Sequence, residues 1–210
     1  MKSYLENRFL DVLLSIYLYN EHAGYTQLEL LLKGFQQKYP EDKNMYLAIE
    51  KHLNDEKRHY QMFKSYFKKL GKEPYQVSAR ASYINTLVKK IFKKPIKKLN
   101  SNVLLNNEKD FLKLCRLIMI TERRGIKQVS RILKMPFIIK HPYLHAVFST
   151  IQKDEPSHCY PYQDFLLKHK SCAVGVWEYF ADLATHTEMI ALRFPLMFFN
   201  PTLQRVKFLD

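Results

Sequence analysis

Two short stretches, Asp55-Glu56-Lys57-Arg58-His59 and Asp154-Glu155-Pro156-Ser157-His158, carry one pattern, Asp-Glu-x-x-His, and decide how the rest of the chain is read. Each follows an earlier glutamate at nearly the same distance: 35 residues separate Glu21 from Glu56, and 33 separate Glu122 from Glu155. The earlier glutamates match each other too. Glu21-His22-Ala23-Gly24-Tyr25-Thr26-Gln27 and Glu122-Arg123-Arg124-Gly125-Ile126-Lys127-Gln128 both read Glu-x-x-Gly-x-x-Gln. A random arrangement of this composition yields fewer than about one Glu-x-x-His, and the two stretches hold the only Asp-Glu dipeptides in the chain. The pattern reads as an internal duplication of a helical hairpin.

Helical phase supports that reading. Alternating steps of three and four give four stripes. The first runs Leu10, Leu14, Tyr17, Glu21, Gly24, Leu28, Leu31, and the second Tyr46, Ile49, Leu53, Glu56, Tyr60, Phe63, Phe67. The third runs Phe111, Cys115, Ile118, Glu122, Gly125, Val129, Ile132, and the fourth Leu144, Phe148, Ile151, Glu155, His158, Tyr162, Phe165. Each is the face a helix turns toward a bundle core, and in each an acid interrupts the apolar run. Buried carboxylates persist only when paired, protonated or metal-bound. A Glu on one helix and Glu-x-x-His on the next, given twice, offers six donors to two metal ions in a four-helix bundle: Glu21, Glu56, His59, Glu122, Glu155 and His158. Asp55 and Asp154, next to the ligand glutamates, are the expected acceptors for the second imidazole N–H of a metal-bound histidine. Gly24 and Gly125, one turn beyond their glutamates, leave room beside the ligands. The other histidines, His22, His52, His141, His145, His169 and His186, match no ligand position and are assigned surface or supporting roles. The alternative for the six is a polar network without metal.

On these motifs the chain resembles the ferritin-like di-iron carboxylate superfamily across roughly residues 5–170. The resemblance implies two iron ions, with manganese the alternative, and O2 as co-substrate reduced between them. It implies bridging by Glu56 and Glu155 or by Glu21 and Glu122. The activity it implies is that of an O2-dependent oxidase or hydroxylase, a monooxygenase, acting on a small organic or modified-nucleoside substrate with an external electron donor. Families of this kind hydroxylate a modified tRNA adenosine or a ubiquinone precursor, and His22-Ala23-Gly24 has a faint likeness to the second. The alternatives are an iron-binding or peroxide-detoxifying protein and a metal-stabilised scaffold for nucleic acid or lipid. One departure stands out: Pro156 and Pro161 fall in the fourth helix, where each removes a backbone donor, so the helix is expected to bend or restart there.

The remaining composition sets limits. A chain of 210 residues with 47% hydrophobic and 14% aromatic content suits one all-α domain with a large core. The expected helices span about 4–38, 42–70, 108–134, 143–169 and 173–194, with a long crossover at 72–107 and an apolar tail from Pro195 packed on the bundle. Residues 1–170 form the bundle and 171–210 the added helix and tail. Cys115, Cys159 and Cys172 form no C-x-x-C pair and fit a reducing cytoplasm. The acids Glu6 and Asp11 argue against a signal peptide. The net charge of +14 is concentrated in the crossover, where Lys89, Lys90, Lys93, Lys94, Lys97 and Lys98 interleave with Ile91, Phe92 and Ile96. Such a stretch suits tRNA or an anionic membrane surface at the inner face, or is a solvated loop on apolar anchors.

Overall fold

The computed structural model describes residues 2–99, 106–171 and 173–209, the side chains of Lys2 and Lys97 lying outside that description. Among the described residues all regular secondary structure is helical, apart from one isolated bridge between Tyr75 and Arg205. Four long helices dominate: α1 (Lys2–Lys38), α2 (Lys43–Lys69), α4 (Glu108–Ile132) and α6 (Pro142–Lys168). Shorter ones lie between and after them: α3 (Tyr83–Phe92), α5 (Pro136–Ile139), α7 (Val176–Glu188) and α8 (Phe194–Phe199).

The ends follow from local chemistry. The Asp42 carboxylate accepts from the Met45 N–H at 3.1 Å, satisfying a donor in the first turn of α2. At the far end Gly71 adopts φ +60°, and Lys72 N–H donates to Phe67 O at 3.0 Å, a closure that needs the left-handed backbone glycine tolerates. Asn107 caps α4, and Pro142 opens α6 where its missing N–H has no helical acceptor to lose.

α1 packs along α2, α4 along α6, and the two hairpins meet through α2 and α6. Their apolar stripes form two clusters. One gathers Leu14, Phe63, Phe67, Val129, Phe148 and Ile151, the other Leu31, Phe35, Ile49, Phe111, Cys115 and Phe165. Burying each phenylalanine contributes roughly 2 kcal/mol. The buried acids interrupt the stripes at the level between these clusters, as the heptad positions require.

The structure refines three expectations. Of the two expectations for the prolines, the restart does not occur: α6 runs as one helix from Pro142 to Lys168 with Pro156 and Pro161 inside it, packed on α2 and α4. The crossover is not loop alone: α3 and two 3-10 turns occupy it, with Leu87, Val88, Ile91 and Ile96 buried against Leu117, Ile120 and Ala181. Residues 100–105 of that segment and Cys172 lie outside the described residues. The last helix does not stop at Phe194. A π turn over Met189–Arg193, with Phe194 N–H donating to Met189 O, carries it past Pro195 to Phe199. The tail then returns over the bundle, with Gln76 N–H donating to Gln204 O at 2.8 Å and Val206 N–H to Pro74 O at 2.9 Å. No helix among the described residues is long and apolar enough to cross a membrane.

Candidate metal centre

The repeated motifs meet face to face. His59 Nε2 donates to Asp154 at 2.9 Å, and His158 Nε2 donates to Asp55 at 3.0 Å. Each aspartate thus holds the histidine of the other hairpin rather than its own, and the two copies of Asp-Glu-x-x-His lock reciprocally. Arg58 joins both aspartates, at 2.7 Å from each, and Lys51 adds a contact to Asp55 at 2.5 Å. Burial alone would raise the Asp55 carboxyl, but hydrogen bonds from His158 and Lys51 outweigh it and hold the group well below its ordinary range.

With Nε2 committed, each Nδ1 faces inward. His59 Nδ1 lies 3.5 Å from Glu21 and 3.9 Å from Glu56. His158 Nδ1 lies 3.8 Å from Glu56 and 3.7 Å from Glu122. These separations are too long for hydrogen bonds. His59 Nδ1, His158 Nδ1, Glu21 Oε2 and Glu155 Oε2 are buried without a hydrogen-bond partner among the described residues. Buried polar atoms are rarely left so, and donors converging on one space are what a cation would satisfy.

The donors form two overlapping groups. One is Glu21, Glu56 and His59; the other is His52, Glu56, Glu122 and His158; in each, the donor atoms lie within 4.8 Å of one another. Glu56 belongs to both. Glu155 is buried beside Glu122 but belongs to neither group, and His158 faces Glu56 and Glu122 rather than its own motif's glutamate.

His52 corrects the sequence reading, which gave it a surface or supporting role. It is buried, its Nε2 lies 3.7 Å from Glu56 and 3.6 Å from Glu122, and its ring stacks on His158 with centroids 4.1 Å apart. The signal was its position one turn before Glu56, on the same side of α2. The glycines also act differently from the expectation of open room. A Cβ on Gly24 would stand 2.7 Å from Glu56 Oε2, and one on Gly125 would stand 3.1 Å from Glu155 Oε2. The room is filled by the glutamate of the paired helix.

Crowding sets the charge state. Burial first, and then the Glu122 charge, raise Glu21 to about 8 against a hydrogen bond with Glu56. Burial and the Glu21 charge raise Glu56 to about 7, and burial with Glu122 puts Glu155 well above its ordinary value. Glu122 goes the other way: burial is outweighed by His52, His158 and a hydrogen bond with Glu155, leaving it at about 2. His158 is drawn down by burial but held up to about 10 by Asp55, Glu122 and Glu56. Protons here do part of the work that a divalent cation would do, and a cation binding this site must displace them.

A cavity of about 390 Å³ reaches the carboxylates from the side of α1 and α4. Glu21, Glu56, Glu122 and Glu155 lie at its inner end, Leu13, Ile16, Ile132 and Phe194 form apolar wall, and Arg131 and His186 also line it. Tyr17 lines it too; its hydroxyl is buried without a hydrogen-bond partner among the described residues, with burial and the Glu155 charge pushing its pKa up. Of the crossover lysines, Lys90 is paired with Glu188 at 3.0 Å, Lys93 sits over Trp177, and Lys89, Lys94 and Lys98 are exposed. The Lys97 side chain lies outside the described residues. No protein-family model, curated protein or solved structure matches the chain.

Proposed function

We propose that this is a ferritin-like di-iron carboxylate protein that uses O2 to oxidise an organic substrate. The observation that carries the reading is the pair of buried, unpartnered histidine Nδ1 atoms, each fixed by an aspartate of the opposite hairpin and aimed at glutamates that share Glu56. Glu21, Glu56 and His59 would hold one ion, and Glu56, Glu122, His158 and His52 the other, with Glu155 beside Glu122. Carboxylate and imidazole donors suit iron, with manganese the alternative. Iron bound there would supply the one-electron redox chemistry that O2 reduction needs.

The protein's own residues do the rest. Asp55 and Asp154 keep the imidazoles in one tautomer and orientation. Glu21 and Glu56, with pKa values raised to about 8 and about 7, and Glu155, raised well above its ordinary value by burial and the Glu122 charge, can hold and return protons during turnover. The 390 Å³ cavity admits a substrate to the carboxylates and its apolar walls limit water. Hydroxylation of a C–H bond in this way consumes one O2 and two electrons and two protons from an external donor, and yields the alcohol and water. The cavity favours this reading over iron storage, which needs no apolar substrate space.

The test is O2 uptake by protein loaded anaerobically with ferrous iron. Uptake faster than an equal amount of free ferrous iron, and lost in Glu56→Ala and Glu122→Ala, is expected. Uptake that persists in both variants would contradict the assignment.

A further inference from the structure

Helix α7 (Val176–Glu188) turns the usual helix pattern inside out. The inward face of α7 carries Glu178, Ala181, Asp182 and Thr185, all buried. Glu178 accepts from Arg116 Nε at 3.0 and 2.9 Å, and Asp182 is held by Arg124 and Tyr83. The outward face, which in a bundle helix is normally polar, is apolar instead. Val176, Phe180, Leu183 and Ile190 recur at steps of four, three and seven, and Trp177 and Tyr179 flank them. Val176 is 75% exposed, Trp177 58%, Phe180 55% and Ile190 56%. Thr187 is an exposed polar residue on this side, and an exposed, largely apolar face of this kind marks an interaction site.

The rim of this face is basic. α3 packs on α7, and Lys89, Lys93 and Lys94, at and just beyond its C-terminal end, are exposed. Lys93 Nζ lies 4.7 Å from the centre of the Trp177 ring. The apolar residues interleaved with these lysines are buried on the bundle, so the lysine side alone faces outward.

We propose that this face docks the protein on a bilayer surface bearing anionic lipids, without crossing it. Trp177 and Tyr179 are the residue types that settle at headgroup depth, and the lysine rim matches anionic headgroups. The aliphatic share of the face, Val176, Leu183 and Ile190, suits acyl chains, whereas a nucleic-acid base could stack only on Trp177, Tyr179 and Phe180. A second copy of the chain would bring two net charges of +14 and two lysine rims together. Ile190 and Phe194 of the same segment also line the 390 Å³ cavity. The inference rests on the outward face of α7 and is independent of the metal assignment.

Trp177 is the chain's single tryptophan and sits on the proposed face, so it reports contact directly. The protein is titrated with vesicles of phosphatidylcholine, and with vesicles containing equal parts phosphatidylcholine and phosphatidylglycerol, while Trp177 emission and co-sedimentation are followed. The expected result is a blue shift, quenching by brominated acyl chains and co-sedimentation with the mixed vesicles, weakened by salt. The double variant Phe180→Glu, Ile190→Glu should lose binding about tenfold or more. Its helical circular dichroism should be unchanged, since both positions are exposed. Lys93→Glu with Lys94→Glu should weaken binding and flatten its salt dependence. No Trp177 response to either vesicle overturns the proposal. So does a blue shift that depends on protein concentration alone and accompanies dimer formation, or a response to single-stranded oligonucleotide without one to lipid.

Discussion

Glu56 is the residue on which stability and binding should pull in opposite directions, and Glu56→Gln exposes the conflict. Burial and the neighbouring Glu21 carboxylate raise its pKa from an ordinary 4.5 to about 7, so the metal-free fold prefers it neutral. The sign follows: the fold loses nothing below pH 4.5 and is progressively weakened as pH rises through about 7. At pH 8 a group moved from 4.5 to about 7 costs about 3 kcal/mol, and at pH 5 about 1 kcal/mol. Glutamine keeps the shape, carries no charge and can donate to Glu21. The metal-free variant should therefore melt about 6–12 °C above the metal-free parent at pH 8, and only slightly above it at pH 5. With ferrous or manganous ion added the order should reverse, because the parent gains binding energy and the variant has lost the carboxylate both donor groups share. Thermal melts of chelator-treated and metal-loaded protein at the two pH values decide the matter. A metal-free variant less stable than the parent at pH 8 would refute the reasoning on buried charge.

Other substitutions probe the rest of the centre. Asp55→Asn leaves His158 without its carboxylate partner and should weaken metal affinity about 10- to 100-fold with little change in fold, read by competition with a chelating dye. His52→Gln should weaken the ion held with Glu122 and His158 while sparing the one held by Glu21 and His59, so that calorimetric titration with metal resolves one affected step and one unaffected. In Gly24→Ala the new methyl meets the Glu56 carboxylate, the movable end of a side chain. Metal affinity should therefore fall more than thermal stability, a ratio that titration and melting measure together. Metal uptake at pH 7 should release protons, since Glu21 and His158 hold them in the free site, and the pH change in weak buffer counts them.

The reach of the sequence is best judged residue by residue. Glu21, Glu56, Glu122 and Glu155 were legible because an acid inside an apolar stripe has few explanations, and the repeat supplied the histidines. His52 was not, because it stands beside the seam position Leu53 and belongs to neither motif; only the packing of α6 against α2 brings it under His158. The Glu-x-x-His spacing does not show which carboxylates a histidine faces, and His158 turns toward Glu56 and Glu122. Pro156 and Pro161 left a bend or a restart open on local geometry, and the helix continues through both where it is packed on α2 and α4. The outward aromatic face of α7 escaped notice for a different reason. Periodicity shows that a helix has two faces without saying which one is buried, and here ion pairs to Arg116 and Arg124 take Glu178 and Asp182 inside.

The central claim is that two hairpins build one site for two divalent ions, and metal content tests it most directly. Protein produced with iron supplied, desalted and analysed by elemental analysis should carry two irons per chain, falling to one or none in Glu56→Ala. A parent protein that binds no metal under these conditions, or a Glu56→Ala variant that keeps both ions, would contradict it.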